Sequence, residues 1–368
     1  MSKNTNLKKL NCDNNQLTSL DVSKNINLIK LNCNNNQLKN IDVSENVNLI
    51  GLSCNSNRLS SIDVSKNMAL EYLHCNNNQI TKLALNTTLK RLSCEANRLS
   101  TLNITNTEVY NLWCNNNQLT TLDVSGTGVC YLYCENNQLT NLKLSHRLYL
   151  YCSNNQLSSL GIDTSTILRS IYCYNNRLPL SELYKAHKAA EDPRYEVYLG
   201  TQNLPTQVVV VGNSVDFSEE KEFGGRATSF LVSPANGYTV KDEYFTFKTI
   251  GNYTITMTND AIKSDPNYPV KVIAHINVSG VGVETKTKDE LGITVSPNPT
   301  TGQLRITNYE LRENTVIEIY DVYGKKHVSQ FTFHDSHIEI DISHLANGMY
   351  FLKLTTNERT IVKKIIKH

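Results

Sequence analysis

Apolar and polar positions in the first half of the chain follow one rhythm, restated about every 21 residues: L-x-x-L-x-C-x-x-N-x-L-x-x-L-D-V-S-x-N-x-x. A period this short and this regular predicts a solenoid of stacked coils. Within each unit the L-x-C stretch alternates, so its outer residues point to one side of a short strand and its middle residue to the other. Leu10 and Cys12 thus enter the core while Asn11 faces outward. Leu17, Leu20 and Val22 bring further apolar groups inward. One coil cannot bury these groups alone, but stacked coils share a continuous core. So short a unit leaves the convex side room only for short turns or extended segments.

Two other residues keep step with the leucines. Cysteine occupies one inward position at Cys12, Cys33, Cys54, Cys75, Cys94, Cys114, Cys134, Cys152 and Cys173. Asparagine follows three residues later, at Asn15, Asn36, Asn57, Asn78, Asn97, Asn117, Asn137, Asn155 and Asn176. A buried amide at this point is expected to bond the loop backbone of its own coil and of the next, groups that otherwise go unpaired at about 1–3 kcal/mol each. An even cysteine count in a secreted chain can signal a disulfide framework. Here the common register argues for reduced thiols. Adjacent strands lie about 4.7–4.9 Å apart, whereas bridged Cβ atoms sit near 3.8 Å, and free Cys packs as a small hydrophobe. Cys130 falls outside the register and has no basic neighbour to activate it. No C-x-x-C pair offers a metal site.

A chain of 368 residues has room for two or three domains. A net charge of +2 makes no electrostatic case for nucleic acid. No apolar run is long enough to span a bilayer. Met1-Ser2-Lys3-Asn4 lacks the apolar stretch of a secretory signal and leads almost directly into a repeat. Solenoids need a capping unit at that end, so the expectation is that signal and cap have been trimmed away.

The repeats loosen as they proceed. Asp21, Asp42 and Asp63 give way to Ala84, Asn103 and Lys143, and the unit around Cys152 is shortened. Residues 1–178 make up the solenoid. Residues 179–203 read as its cap: a helix from Pro179 to Ala190, with Ser181 as N-cap and Leu180, Leu183, Tyr184 and Ala190 on the buried face. Pro193 stops it, and Tyr195–Leu199 adds a last strand. Over residues 204–280 short strand signals alternate with Gly, Pro and Asn, the pattern of a β-sandwich. Residues 281–290 read as a polar linker, and residues 291–368 as a second set of short strands. The fold class is mainly β: a solenoid of short parallel strands followed by two sandwiches.

The repeat resembles the leucine-rich repeat, with Cys where most such repeats carry Leu. It is similar in particular to the J-type internalins, over about half of the chain. Internalins pair such a solenoid with an immunoglobulin-like module, and Gly251-Asn252-Tyr253-Thr254-Ile255 with its closing strand resembles such modules in bacteria. The missing N-terminal cap and the shortened late repeats depart from that family. The tail carries Val295-Ser296-Pro297-Asn298-Pro299-Thr300-Thr301-Gly302, then Ile317-Glu318-Ile319-Tyr320-Asp321-Val322-Tyr323-Gly324-Lys325. Asp341-Ile342-Ser343-His344-Leu345-Ala346-Asn347-Gly348-Met349-Tyr350-Phe351 and Val362-Lys363-Lys364-Ile365-Ile366-Lys367 follow. This order resembles the C-terminal sorting domain of the Bacteroidetes type IX secretion system, itself immunoglobulin-like. The resemblance implies export through that machinery, cleavage of the domain and attachment to lipopolysaccharide on the outer surface.

Outward strand positions form the concave face, which solenoids commonly use for binding. One residue before each ladder cysteine stand Asn11, Asn32, Ser53, His74, Ser93, Trp113, Tyr133, Tyr151 and Tyr172. Three before stand Lys9, Lys30, Gly51, Tyr72, Arg91, Asn111, Tyr131, Tyr149 and Ser170. The early coils are polar and the late coils aromatic. Tyr72, Trp113, Tyr131, Tyr133, Tyr149, Tyr151, Tyr172 and Tyr174 are therefore the candidate ligand-binding residues. Tyr and Trp bury large area and keep a polar handle; the competing reading is that they only brace the sheet. His74 stands without a nucleophile–base–orienter set. Glu95 and Glu135 lie two coils apart, about 10 Å, and read as solvated loop residues. No catalytic residue, cofactor or metal is expected. The expected function is a secreted, surface-attached adhesin that binds a host or bacterial surface protein or glycan through the concave face. The competing classes are the recognition module of a glycan-processing enzyme and a structural surface-layer component.

Overall fold

The residues flanking each ladder leucine form a short strand, as at Lys9–Asn11 and Lys30–Asn32, with the cysteine just past its end, because leucine and cysteine are drawn into the core and the next coil supplies the hydrogen bonds. The computed structural model describes residues 3–190 and 192–279, and of the tail 294–296, 298, 300, 302–307, 316–321, 325–327, 330–334, 337–355 and 360–367. A 10-stranded parallel sheet runs from Lys9–Asn11 to Glu196–Tyr198. Its central residues stay in register from coil to coil: Leu10 beside Leu31, Leu31 beside Leu52, Leu112 beside Leu132. The shortened unit leaves its mark as a bulge between Leu148 and Tyr149.

The cysteines are free, and those from Cys33 to Cys173 in the ladder are buried. Cys12 is half-buried in the first coil, and Cys130 is exposed. From Cys12 to Cys94 each ladder thiol donates to a carbonyl of the next coil, Cys54 Sγ to His74 O at 3.5 Å and Cys94 Sγ to Trp113 O at 3.4 Å. A thiol can donate only while it keeps its proton, and burial holds it there, lifting Cys33 to about 12. Titration of the native protein should therefore detect Cys130, and after it only the half-buried Cys12. Denaturation without reductant should release all ten. Disulfides found by mass spectrometry would overturn this.

The asparagine ladder bonds its own coil and the preceding one, not the next. Asn57 Nδ2 donates to Cys54 O and Asn55 O within its coil and to Cys33 O in the coil before, all at 3.0–3.1 Å. Its Oδ1 accepts Leu38 N of that earlier coil at 3.0 Å. The residue before each ladder amide takes the left-handed conformation, as at Asn35, Asn77 and Asn116; Asn tolerates it better than most residues. A second buried ladder, unforeseen, stands in the D-V-S-x-N segment. Asn46 and Asn67 each donate to two carbonyls of the coil before. The convex side holds turns and short extended pairs such as Ser61–Asp63 with Lys82–Ala84.

A helix, Leu180–Ala189, closes the solenoid. Ser181 does not cap it. Pro179 occupies the N-cap position and makes no side-chain bond. Ser181 instead donates its N–H (3.1 Å) and hydroxyl (2.7 Å) to the carboxylate of Glu220, which lies beyond the cap in sequence. Gln202 plays the amide role where no further repeat exists. Its Nε2 donates to Cys173 O and Leu199 O, and its Oε1 accepts Asn176 N and Leu178 N.

Past the cap, two sheets share an apolar core. One contains Thr201–Asn203, Gln207–Val210, Ser229–Ser233, Gly251–Thr258 and Lys271–Ser279; the other contains Ser214–Asp216, Tyr238–Lys241 and Tyr244–Phe247. Val232, Ile255, Met257 and Ala274 meet Phe217, Phe245 and Phe247 between them. Solenoid and sandwich form one compact unit, Met1–Val281, and Gly282–His368 form another. The second has two four-stranded antiparallel sheets around Leu304, Ile306, Ile319, Ile340, Leu352 and Ile365. The linker expected at 281–290 lies outside the described residues. Among the described residues no helix is long and apolar enough to cross a membrane.

Candidate functional site: the concave aromatic face

Register alone brings most of the expected aromatic residues together. Trp113 lies beside Tyr133, Tyr133 beside Tyr151, Tyr151 beside Tyr172, and Tyr172 beside Tyr198. Their rings stack face to face in one run, with centroids 5.8, 4.3, 4.5 and 4.2 Å apart. Tyr131 and Tyr149 form a second stack at 4.5 Å and 1°. The Arg169 guanidinium lies 5.9 Å from the Tyr149 ring, within cation–π range. Because neighbouring faces cover one another, the rings inside the longer row turn edges and hydroxyl groups to solvent.

Two candidates lie apart from the stacks. Tyr72 stands in the polar half, with Arg91 5.6 Å from its ring. Tyr174 packs against Tyr268 at 5.0 Å. That packing needs glycine at Gly200, which has φ +57° and where a Cβ would come within 2.5 Å of the Tyr174 Cβ. Three participants went unread. Tyr198 extends the longer stack; carrying the outward column into the predicted last strand would have found it. Tyr268, from the sandwich, meets Tyr198 edge-on at 5.1 Å. Glu196 accepts the Tyr172 hydroxyl, and burial together with this carboxylate holds the Tyr172 phenol well above its ordinary range.

In the polar half, a shallow hollow of about 380 Å³ opens at Gly51, bordered by Lys9, Lys30, Asn32, Tyr72 and His74. Burial, helped by Arg91, lowers the His74 pKa and favours the neutral imidazole. Ser93 neighbours it in register but donates its hydroxyl to Asn76 at 2.9 Å. No Ser–His pair forms there.

Glu95 and Glu135 are not solvated loop residues. Both are half-buried, and Glu135 Oε2 has no hydrogen-bond partner among the described residues. Asn34, Asn55 and Asn76 hold the equivalent position in earlier coils and accept the next coil's N–H. A carboxyl there is desolvated, and with Glu95 nearby it is pushed up to about 7. The protonated form is the one the fold favours. Its stabilising contribution is full below the ordinary 4.5 and is lost as pH rises through about 7. After discounting for solvent screening we expect about 1–2 kcal/mol. Urea unfolding at pH 5 and pH 8 should show this loss in the wild type and a smaller one in Glu135→Gln. Equal pH dependence in the two would overturn it.

Fold and face together define a cysteine-ladder, leucine-rich-repeat solenoid. Residues 294–368 match the family described as the secretion system C-terminal sorting domain, which indicates a secreted, cell-surface protein and supports type IX sorting. Among solved structures, the functional domain of InlJ from Listeria monocytogenes, whose own description includes a cysteine ladder, is similar at 20% identity with a TM-score of 0.27. That likeness covers 76% of this chain and 87% of that one. InlP of Listeria monocytogenes is similar at 16% identity and TM-score 0.40, over 71% of this chain and 76% of its own. No curated protein matches the chain.

Proposed function

We propose that this is a non-catalytic adhesion protein, displayed on the outer surface of a bacterium, whose aromatic concave half binds a protein on a host or bacterial partner. The observation that carries the reading is the run of five stacked rings from Trp113 to Tyr198 beside the Tyr131–Tyr149 pair. Aromatic side chains lose little conformational freedom on binding and are over-represented in hot spots. A sugar would best be met by an open ring face. These faces are taken up by one another, which favours the edges and hydroxyls as the contact and a polypeptide as the partner. The sandwich acts as a spacer, in the manner of an immunoglobulin-like module, and the tail is the type IX export address.

Two measurements test this. The full chain, probed against purified surface proteins and a glycan array in parallel, should be retained by a protein; retention on glycans alone would overturn the choice of partner. In a Bacteroidetes host, removal of residues 291–368 should leave the rest folded in the periplasm. Unchanged surface display would refute the export assignment.

A further inference from the structure

One of the two sheets of the second unit gathers two imidazoles and a carboxylate. His334 closes the strand Gln330–His334 and His337 opens the strand His337–Asp341. The two are cross-strand partners, and their rings stack with centroids 4.4 Å apart at 12°. Glu339 lies two residues beyond His337, on the same face by alternation, opposite the buried Ile338 and Ile340. Its carboxylate reaches both rings: Oε1 is 3.3 Å from His337 Nε2, and Oε2 is 3.7 Å from His334 Nε2. One ligand atom from each of the three residues can be chosen so that all lie within 4.8 Å of one another.

We propose that His334, His337 and Glu339 form a binding site for a divalent transition-metal ion of the zinc class. Two imidazole nitrogens and one carboxylate are the donors such ions take, and three protein ligands leave coordination open to water or a further ligand. The set is too poor in oxygen for calcium. A plain ion-pair cluster accounts for less. Arg305, the cross-strand partner of Glu339, already meets that charge, with Nη2 3.1 Å from Oε1. An ion pair has no use for a second imidazole in register with the first. Arg305 is instead placed as an outer-shell group that orients the carboxylate while Oε2 stays turned toward His334. No sequence spacing announces this set. Its members meet only across a hairpin, and the alternation of one strand.

The test uses the full chain, stripped of metal, in a Cys130→Ser background to remove the exposed thiol. Zn2+ is titrated against a chromophoric chelator, and Co2+ is followed by its visible absorption. One equivalent of Zn2+ should bind at micromolar free ion. His334→Asn, His337→Asn and Glu339→Gln should each weaken it by at least about tenfold, and His74→Asn, in the other unit, should not. Circular dichroism checks folding; if His337→Asn fails to fold, His334→Asn at the exposed strand end carries the comparison. No uptake by the parent protein overturns the site. So does an affinity within tenfold of the parent in the folded ligand variants.

Discussion

Asn117→Ala should lower the unfolding free energy of the first unit by about 3–5 kcal/mol. The side chain is almost fully buried and makes four hydrogen bonds. Nδ2 donates to Cys94 O at 3.0 Å, Cys114 O at 3.1 Å and Asn115 O at 3.3 Å, and Oδ1 accepts Leu99 N at 3.0 Å. Alanine leaves an amide N–H and loop carbonyls of two coils without this partner, in an interior where water cannot replace it. Asn117→Asp is the sharper case. It keeps the shape and the acceptor but turns a carboxylate oxygen toward three carbonyl oxygens, and should cost at least as much. Asn116, next door, is exposed with φ 57°, and Asn116→Gly should change little. Equilibrium urea unfolding measures all three. A loss below about 1 kcal/mol for Asn117→Ala would mean that the ladder is redundant.

The second large effect concerns the ring stack. Tyr133→Ala combined with Tyr151→Ala should abolish partner binding. It also removes three stacked pairs, Trp113–Tyr133, Tyr133–Tyr151 and Tyr151–Tyr172. At about 0.5–1.5 kcal/mol each, stability falls as well, so this pair cannot by itself separate binding from bracing. Tyr133→Phe with Tyr151→Phe can. The rings and their packing remain, and only two hydroxyls leave. If the partner reads hydroxyls, affinity should drop about tenfold or more, since each 1.4 kcal/mol is tenfold, while the melting temperature stays near the parent's. Parent-like affinity in the phenylalanine pair would discard the hydroxyl reading. Parent-like affinity in the alanine pair would discard the concave patch and turn attention to the sandwich.

What the sequence made legible was whatever recurs. The leucine, cysteine and asparagine positions each repeat nine times, so a single register argument orients all of them, and the outward column follows. The loop asparagine at Asn46 and Asn67 recurs too. It was missed because it lies in a turn, where alternation gives no inside or outside. Contributions made once were invisible for a different reason. Gln202, Glu220 and Tyr268 act on the solenoid from segments with no repeat, and only the path of the folded chain brings them there. Glu135 was misjudged because most of its column, Asn34, Asn55, Asn76 and Asn115, is neutral amide. A carboxyl in an amide's place keeps the burial and loses the partner.

The sandwich's first and last strands run parallel, with Thr201–Asn203 beside Lys271–Ile273 and Gln207–Val210 beside Ile276–Ser279. The chain enters at the Thr201 end of this seam and leaves at the Ser279 end. A pull between the solenoid and the C-terminal side therefore acts along the seam, in opposite directions on its two edges. Its hydrogen bonds lie across the load and must give way together, whereas a hairpin pulled at its open end parts one bond at a time. Under the proposed adhesive role, the segment between grip and tether is arranged as a shear joint.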